Sequence, residues 1–551
     1  MQAFRLVLPV VVALTVALAP AGAAEDSPRT KKPPVDVEKV LADAAKAEAD
    51  GKFEDALKWY LKAFTAGRTD PDTREHIRHC FRHVAQAERH RDPAFQKFVA
   101  AMPTSDAVTL YAEAVERIQK TYADRSRATV ERLFSAGLDE VLAALNTPAF
   151  RAEHLKGVGD GKVEEFRTLV RESWQAKLPA TPREAAQSAR AVVAAASKTL
   201  GLKNGAVVVF ELLCGACTGL DEYSTYVPPG GGSDLAPLNE LAGYGLLVRP
   251  SADGLVVDAV LPLSWAAAHT KLRKGDRITK VNGKAVGGSS PGALVEAMRA
   301  GEGTGHRIEF DTPEDTVAAV LPVPFPTVYG TELLEMKEGV GYLRLAAFKD
   351  RTPREFDDAV LELKTRGMKA LVIDIRGNSG GLFAAAVGIA KRLLPNGPVA
   401  TTDGQVPEFA TRVFSSDSGM AAHDFPVVLL MDAKTMSAAE VLAASLKDNQ
   451  RATLVGLPTF GKGLIQAGVR LQSLDGGGDD RGAKSGLLIL SVATASGPMS
   501  GLIQGRGVTP HVTEADADRQ FALAVEKALE LLAGGMGMPP GVSESMPIIR
   551  R

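Results

Sequence analysis

The sequence predicts a multidomain α+β chain, and three textures along it carry that prediction. Apolar residues recur at helical spacing from residue 37 to about 213. Short strands and Gly-rich turns follow from about 239, and after 328 strands alternate with helices. At 551 residues the chain is too long for one core, and about three or four domains are expected. Apolar residues make up 45%, charged residues 24%, and the net charge is −2. That balance fits an ordinary water-soluble protein and favours neither nucleic acid nor an acidic membrane surface.

Residues 1–24 read as a cleavable signal peptide. Arg5 precedes an apolar run, and small residues occupy the −3 and −1 positions for cleavage after Ala23 or Ala24. The run is shorter than the ~20 apolar residues that cross a bilayer, so the mature protein is expected outside the cytoplasm, periplasmic or secreted, without a membrane span. Residues 25–35 form a polar, proline-bearing linker.

Residues 36–103 are expected to be helical, with a tetratricopeptide-like start. Ala45, Ala49, Phe53, Ala56, Tyr60 and Ala63 stand where such a helix pair carries its small and aromatic residues, and 71–101 can supply a second pair. His76, His79, His83 and His90 share one stripe beside Ile77, Cys80, Phe81 and Val84. His79 and His83 could reach one metal ion, but the stripe reads as the edge of a solvated helix, and no metal is expected. Residues 104–235 continue helical. Cys214 and Cys217 form a lone C-x-x-C, too little for a four-thiolate zinc site. In an oxidising compartment a local disulfide is the first expectation and two buried thiols the second. Cys80 is left over.

Residues 236–325 carry Gly243-Tyr244-Gly245-Leu246, then short β-runs, Lys274-Gly275-Asp276, and a helix around 291–299. This succession resembles a PDZ domain, in which Gly243, Tyr244, Gly245 and Leu246 would bind a peptide's terminal carboxylate through backbone N–H groups. Residues 326–514 read as an α/β core. Its strands are expected at 339–345, 370–376, 427–431, 452–455 and 487–492, its helices at 354–365, 382–394 and 438–448. An amphipathic helix at 515–533 and a disordered Gly/Pro-rich tail at 534–551 close the chain.

Three places compete for chemistry. Gly377-Asn378-Ser379-Gly380-Gly381 satisfies the Gly-x-Ser-x-Gly pattern between a strand and a helix. Only His423 and His511 follow Ser379, without the rest of an α/β-hydrolase. The glycines therefore read as exposed backbone N–H groups at a helix start, suited to an oxyanion. At the next such junction Ser437 and Glu440 form an S-x-x-E capping box, where the helix dipole also favours negative charge. Lys462 follows Ser437 by twenty-five residues in a Gly-flanked stretch. If the chain is extended from Lys462 onward, Lys462, Leu464 and Gln466 share one face and a lysine and a glutamine can converge on the serine.

Taken together, the ordered motifs resemble the C-terminal processing peptidases, or tail-specific proteases, over residues 107–512. They are Leu220-Asp221-Glu222-Tyr223-Ser224-Thr225-Tyr226, Gly341-Tyr342-Leu343-Arg344, Asp374-Ile375-Arg376-Gly377-Asn378-Ser379-Gly380-Gly381, Thr435-Met436-Ser437-Ala438-Ala439-Glu440, Thr459-Phe460-Gly461-Lys462-Gly463 with Gln466, and Gln504-Gly505-Arg506-Gly507-Val508-Thr509-Pro510. The resemblance implies a ClpP/crotonase-like peptidase core. Ser437 would be the nucleophile, Lys462 the general base and Gln466 the residue holding the lysine. Backbone amides of Gly380, Gly381 and Ala438 would form the oxyanion hole. The chain departs from the family pattern at Ser379 (usually Pro), Met436 (usually small) and His511 (usually Asp).

A lysine titrating near ~10.4 must come down to around 7–8 to act as a base, a change of ~3–5 kcal/mol that desolvation can supply. Lys462 is therefore expected to be buried near Ser437 with no carboxylate on its amine. No cofactor is needed. Substrates would be proteins or peptides engaged by their C-termini, with no nucleic acid partner. A protein partner for the N-terminal helices and a homo-oligomer stay open, and a non-catalytic binding protein on the same scaffold is the alternative.

Overall fold

The computed structural model describes residues 36–229, 246–251, 254–260, 266, 270–273, 275–286, 306–311, 316–321, 328–333, 339–417, 423–475 and 484–534. The signal peptide, the whole of the linker, Gly243, Tyr244, Gly245, the 291–299 helix and the tail after Gly534 lie outside the described residues.

The helical half runs α1 (Val37–Ala49), α2 (Phe53–Thr65), α3 (Pro71–Arg91), α4 (Pro93–Ala101), α5 (Thr104–Thr121), α6 (Val130–Ala144), α7 (Pro148–His154), α8 (Asp160–Val170), α9 (Pro182–Leu200) and α10 (Ala206–Thr218). Local chemistry sets several starts: Asp36, Asp70, Thr129 and Thr181 each accept a hydrogen bond from a first-turn amide. Two helix pairs occupy 37–101, but their buried face differs from the tetratricopeptide expectation. Ala45 and Ala49 are exposed, while Val40 and Ala44 are buried with Ala56, Leu57, Tyr60, Leu61 and Phe64. The reason is the neighbour: this face packs on the α/β core as well as on α3, so no further repeat is needed to cover it.

The C-x-x-C falls inside α10, and Cys214 and Cys217 are free, buried thiols. Burial pushes Cys214 up to about 12 and raises Cys217 well above the ordinary thiol value. This corrects the disulfide expectation: at i and i+3 of a continuous helix the two thiols serve as small core residues. Cys80 is likewise free and buried.

After β1 (Thr225–Val227) comes the antiparallel sheet of β2 (Leu246–Ser251), β3 (Gly254–Val260), β4 (Arg277–Val281), β5 (Lys284–Ala285), β6 (His306–Asp311) and β7 (Thr316–Leu321), ordered β2-β3-β4-β6-β7 with β5 on β4. Its separate core includes Leu246, Val257, Ile278, Ile308 and Phe310. Buried Asp276 accepts from the Arg273 amide at 2.8 Å and so fixes the turn before β4.

The core follows as β8 (Val328–Leu333), β9 (Val340–Leu345), α11 (Thr352–Thr365), β10 (Ala370–Asp374), α12 (Phe383–Leu393), β11 (Gly397–Gly404), β12 (Arg412–Ser416), β13 (Val427–Met431), α13 (Ala438–Asp448), β14 (Ala452–Gly456), β15 (Leu464–Arg470), β16 (Leu487–Gly497), β17 (Gly501–Leu502), β18 (Val512–Thr513) and α14 (Ala517–Ala533). One sheet is ordered β18-β14-β13-β10-β9-β8, with every pair parallel except β8–β9. Helices α11, α12 and α13 cover one face and α14 the other. Both faces being dry, β10 and β13 are buried at every residue, as their unbroken apolar runs require. In the second sheet the long β16 pairs with β1, β11, β15 and β17, and it packs on the helical half through Leu488, Leu490 and Val492.

Candidate active site

Two parallel strands, β10 and β13, end side by side and turn into α12 and α13. The Thr435 hydroxyl donates to the Ile375 carbonyl at 3.0 Å, and the Met436 amide donates to the Asn378 carbonyl at 2.9 Å. These bonds press the glycine turn against Ser437. A Cβ at Gly380 (φ +98°) would stand 2.8 Å from the Ser437 Cβ, and one at Gly381 (φ +135°) would collide with the Phe348 carbonyl. Only glycine permits both the backbone angle and the approach.

Ser437 itself sits at φ 56°, ψ −122°, a conformation that L-residues adopt at a cost of order 1–3 kcal/mol. Ser379 is not among the non-glycine residues with positive φ. The expected S-x-x-E capping box is present, and Glu440 does more than cap. Its buried carboxylate accepts from the amides of Ser437 (2.8 Å), Gly461 (2.6 Å) and Lys462 (2.7 Å) and from the Thr459 hydroxyl. Burial raises its pKa while those donors oppose the rise. One carboxylate thereby joins the start of α13 to the loop carrying Lys462.

That loop is pinned from its other side too. The Gly463 amide donates to Gln504 Oε1 at 2.9 Å, and the Gly505 amide donates to the Gly461 carbonyl at 2.8 Å. The Gln504–Pro510 motif is thus a brace for the loop.

Lys462 is 4% exposed. Its amine donates to Gln466 Oε1 at 2.6 Å and lies 4.6 Å from the centre of the Tyr223 ring. Gln466 in turn donates through Nε2 to the Tyr223 carbonyl at 2.7 Å. Tyr223 is placed by Asp221, whose carboxylate accepts from the amides of Tyr223 and Ser224, both at 2.7 Å. Burial brings the Lys462 pKa down to about 8, against the opposing pull of Asp221, Glu222 and Glu440. Among the described residues no carboxylate hydrogen-bonds the amine, and none joins it in an ion pair.

The structure brings Lys462 and Gln466 together, although not by the alternation expected. Strand β15 starts at Leu464, after Lys462, and its register on β16 shifts between Ile465 and Gln466. The bulge re-aims Gln466. Ser437 joins this group through Glu440; among the described residues no hydrogen bond links its hydroxyl to the lysine amine. Of the three expected oxyanion donors, the Gly380 amide is already committed to Asn378 Oδ1 at 2.8 Å, whereas those of Gly381 and Ala438 donate to no partner among the described residues. Leu246 of the expected carboxylate loop is buried at the start of β2. Three residues of the histidine stripe lie against α1 and α2: His76 is 2.8 Å from Glu48 and stacks on Tyr60, His79 meets Phe53 edge-on, and His83 stacks on Phe53. His90, expected at a solvated edge, is instead buried 3.0 Å from Glu211 of α10. No metal-binding cluster occurs among the described residues.

Residues that sequence reasoning left without a role are Tyr223, Asp221, Glu440 as a tie between loops, and Phe460. Tyr223 and Asp221 stood inside a quoted motif, which was the available signal.

Residues 339–514 match peptidase family S41, and residues 236–304 match the PDZ domain. The chain therefore carries a region similar to a PDZ domain ahead of a region similar to a family of peptidases. It is similar to the carboxyl-terminal-processing protease of Synechocystis, 29% identical over 322 residues, covering 56% of this chain and 72% of that one. It is also similar to the chloroplastic C-terminal processing peptidase of Tetradesmus obliquus, 32% identical over 53% of this chain and 64% of that one. Among solved structures, the photosystem II D1 C-terminal processing protease matches 74% of this chain and 93% of its own at 23% identity, with a TM-score of 0.39. The particular likeness is to peptidase family S41 over residues 339–514 and to carboxyl-terminal-processing proteases among the relatives.

Proposed function

We propose that the protein is an exported serine endopeptidase that cleaves proteins near their C-termini, with Ser437 as nucleophile and Lys462 as general base. The observation that best supports this reading is the buried Lys462 amine, held by the neutral Gln466 amide and the Tyr223 ring, with a pKa of about 8. A neutral amine is then present in quantity near physiological pH, which an ordinary lysine does not offer.

In the reaction, the amine of Lys462 takes the Ser437 proton as Oγ attacks the scissile carbonyl. The Gly381 and Ala438 amides hold the oxyanion. The lysine ammonium returns the proton to the leaving amine, which departs as the new N-terminus. Water, deprotonated by the same lysine, then releases the acyl group from Oγ. The gap between hydroxyl and amine closes when substrate displaces water, since catalytic hydrogen bonds are commonly loose before binding. Glu440 and Gln466 position the loop and the lysine. The PDZ domain selects substrate tails through the backbone of Gly243, Tyr244, Gly245 and Leu246.

Export rests on the signal-like residues 1–24. No helix among the described residues is long and apolar enough to cross a membrane.

The test is labelling with a serine-reactive phosphonate and mapping of the modified residue. The expected adduct is on Ser437; an adduct on Ser379, or none while peptide cleavage proceeds, overturns the reading. For the tail selection, amidating a substrate's C-terminus is expected to slow cleavage, and equal rates would remove the PDZ domain from that role.

A further inference from the structure

The N-terminal helices do not stand apart from the site. Ala56, Leu57, Tyr60, Leu61 and Phe64 of α2 and Ile77 and Cys80 of α3 share one apolar cluster with Tyr223, Ala433, Met436, Phe460 and Leu464. Met436 directly precedes Ser437, Phe460 lies two residues before Lys462, and Tyr223 covers the lysine amine. The Phe64 and Phe460 rings meet at 5.2 Å. The Arg74 guanidinium lies over both, 4.8 Å from the Phe64 centroid and 5.6 Å from that of Phe460. Its Nε donates to the Thr69 carbonyl at 3.0 Å, while its buried Nη2 has no hydrogen-bond partner among the described residues. A Cβ on Gly461 would stand 3.3 Å from that Nη2.

The far end of α3 is anchored as firmly. Glu140 of α6 and Glu211 of α10, both buried, take Arg89 at 3.1 and 2.9 Å, and Glu211 also takes His90 (3.0 Å) and Gln86 (2.8 Å). Helix α3 is therefore a strut running from the helical core to the back of the lysine loop.

We propose that Arg74 and Phe64 are positioning residues for the reaction, clamping the 459–463 loop from behind so that the Lys462 amine stays dry and correctly placed. This rests on the reading of Lys462 as the base. The burial pattern separates a clamp from an inhibitory cover: Met436 and Phe460 are buried beneath the helices, but Ser437 keeps partial exposure.

Electrostatics adds to the clamp. The groups facing the amine are Asp221, Glu222 and Tyr223 ahead of β1 and Glu440 on α13, with Arg74 and Arg78 on α3 behind them. Glu222 and Glu440, which favour a charged Lys462, also favour a charged Arg74. The guanidinium thus sits among the same carboxylates that act on the lysine.

The experiment uses the full chain with Arg74→Ala, Arg74→Lys and Phe64→Leu, reading kcat and KM on a peptide and, separately, the pH midpoint for acylation of the Lys462 amine. Arg74→Ala is expected to lower kcat about 10- to 100-fold with KM within about 2-fold, as misplacement of a catalytic group does. Its Lys462 midpoint should move up from about 8 towards the ordinary lysine value. Arg74→Lys should restore most of that midpoint, and Phe64→Leu should show the same changes at smaller size. A folded Arg74→Ala with wild-type kcat and midpoint overturns the clamp. Should Arg74→Ala fail to fold, wild-type values in Phe64→Leu overturn it equally. If instead Lys462→Ala retains activity while the midpoint still moves in Arg74→Ala, the assignment of the base has failed and not the clamp.

Discussion

The two strand-to-helix turns of the core use strain in opposite ways. After β10 the glycines at 377, 380 and 381 take the positive φ angles and Ser379 does not. After β13 the serine itself carries the strained backbone, in a stretch without glycine. A Gly-x-Ser-x-Gly pattern marks an elbow only when the serine is the residue being bent. Here the glycines let one turn close on the other, and the bent serine of the second turn is the one proposed as nucleophile. The comparison is sharpest in paired variants. Ser437→Ala is expected to lower kcat on the order of 10⁴- to 10⁶-fold, as loss of a nucleophile does, with binding of a peptide retained. An active Ser437→Ala would break it.

The next effect concerns the residue that serves the second turn. Lys462→Met should lower kcat at least about 10³-fold and also stabilise the fold. The folded pKa of about 8 lies below the 10.5 of a free lysine. Between those values the unfolded chain binds more protons, so wild-type stability rises with pH across that window and carries the full penalty below about 8. At about 1.36 kcal/mol per unit, the methionine variant should gain up to about 3 kcal/mol at pH 7 and much less at pH 11, read as a difference in Tm between the two pH values. In the wild type, kcat/KM should climb tenfold per pH unit below about 8 and level off above it. A Tm difference independent of pH would mean that the lysine is not held neutral.

Much of this was legible beforehand, for a local reason. The strands at 370–374 and 427–431 and helix α13 follow from apolar runs and a cap, and Ser437, Lys462 and Gln466 from short motifs. What escaped depends on contacts across the chain. Glu440 reads locally as a cap, and nothing near it announces that the amides of Gly461 and Lys462 will come to the same carboxylate. Arg74 reads as a surface charge on α3 until Phe64 and Phe460 are seen beneath it. The C-x-x-C misled because redox reasoning about the compartment overlooked that both thiols lie within one apolar helix.

An intermediate effect is expected at the contact between the two turns. Gly380→Ala puts a methyl group 2.8 Å from the Ser437 Cβ at a backbone angle of φ +98°. Something must shift, and the strained serine is the softer side. The variant should lose about 1–3 kcal/mol of stability and about 10²-fold in kcat, with the serine label from the phosphonate probe formed correspondingly slowly. Full activity would show that the turns are less closely tied than their hydrogen bonds indicate.

The smallest effect belongs to the serine that the pattern singles out. Ser379 donates its amide to no partner among the described residues, its φ is not positive, and its side chain is only half-buried. Asn378 and Gly380 hold the turn on either side, through the Asn378 side chain on the Leu345 carbonyl (2.9 Å) and the Gly380 amide on Asn378 Oδ1 (2.8 Å). Ser379→Ala should therefore leave kcat/KM within about 2-fold. Ser379→Pro is the more demanding probe, because a ring at this position requires a φ near −65° and removes the N–H. With no hydrogen bond to lose, it should keep activity within about 3-fold and change stability by less than about 1 kcal/mol, towards greater stability through a stiffer unfolded chain. A loss of 10²-fold or more in either variant would make the first turn, and not the second, the seat of the chemistry.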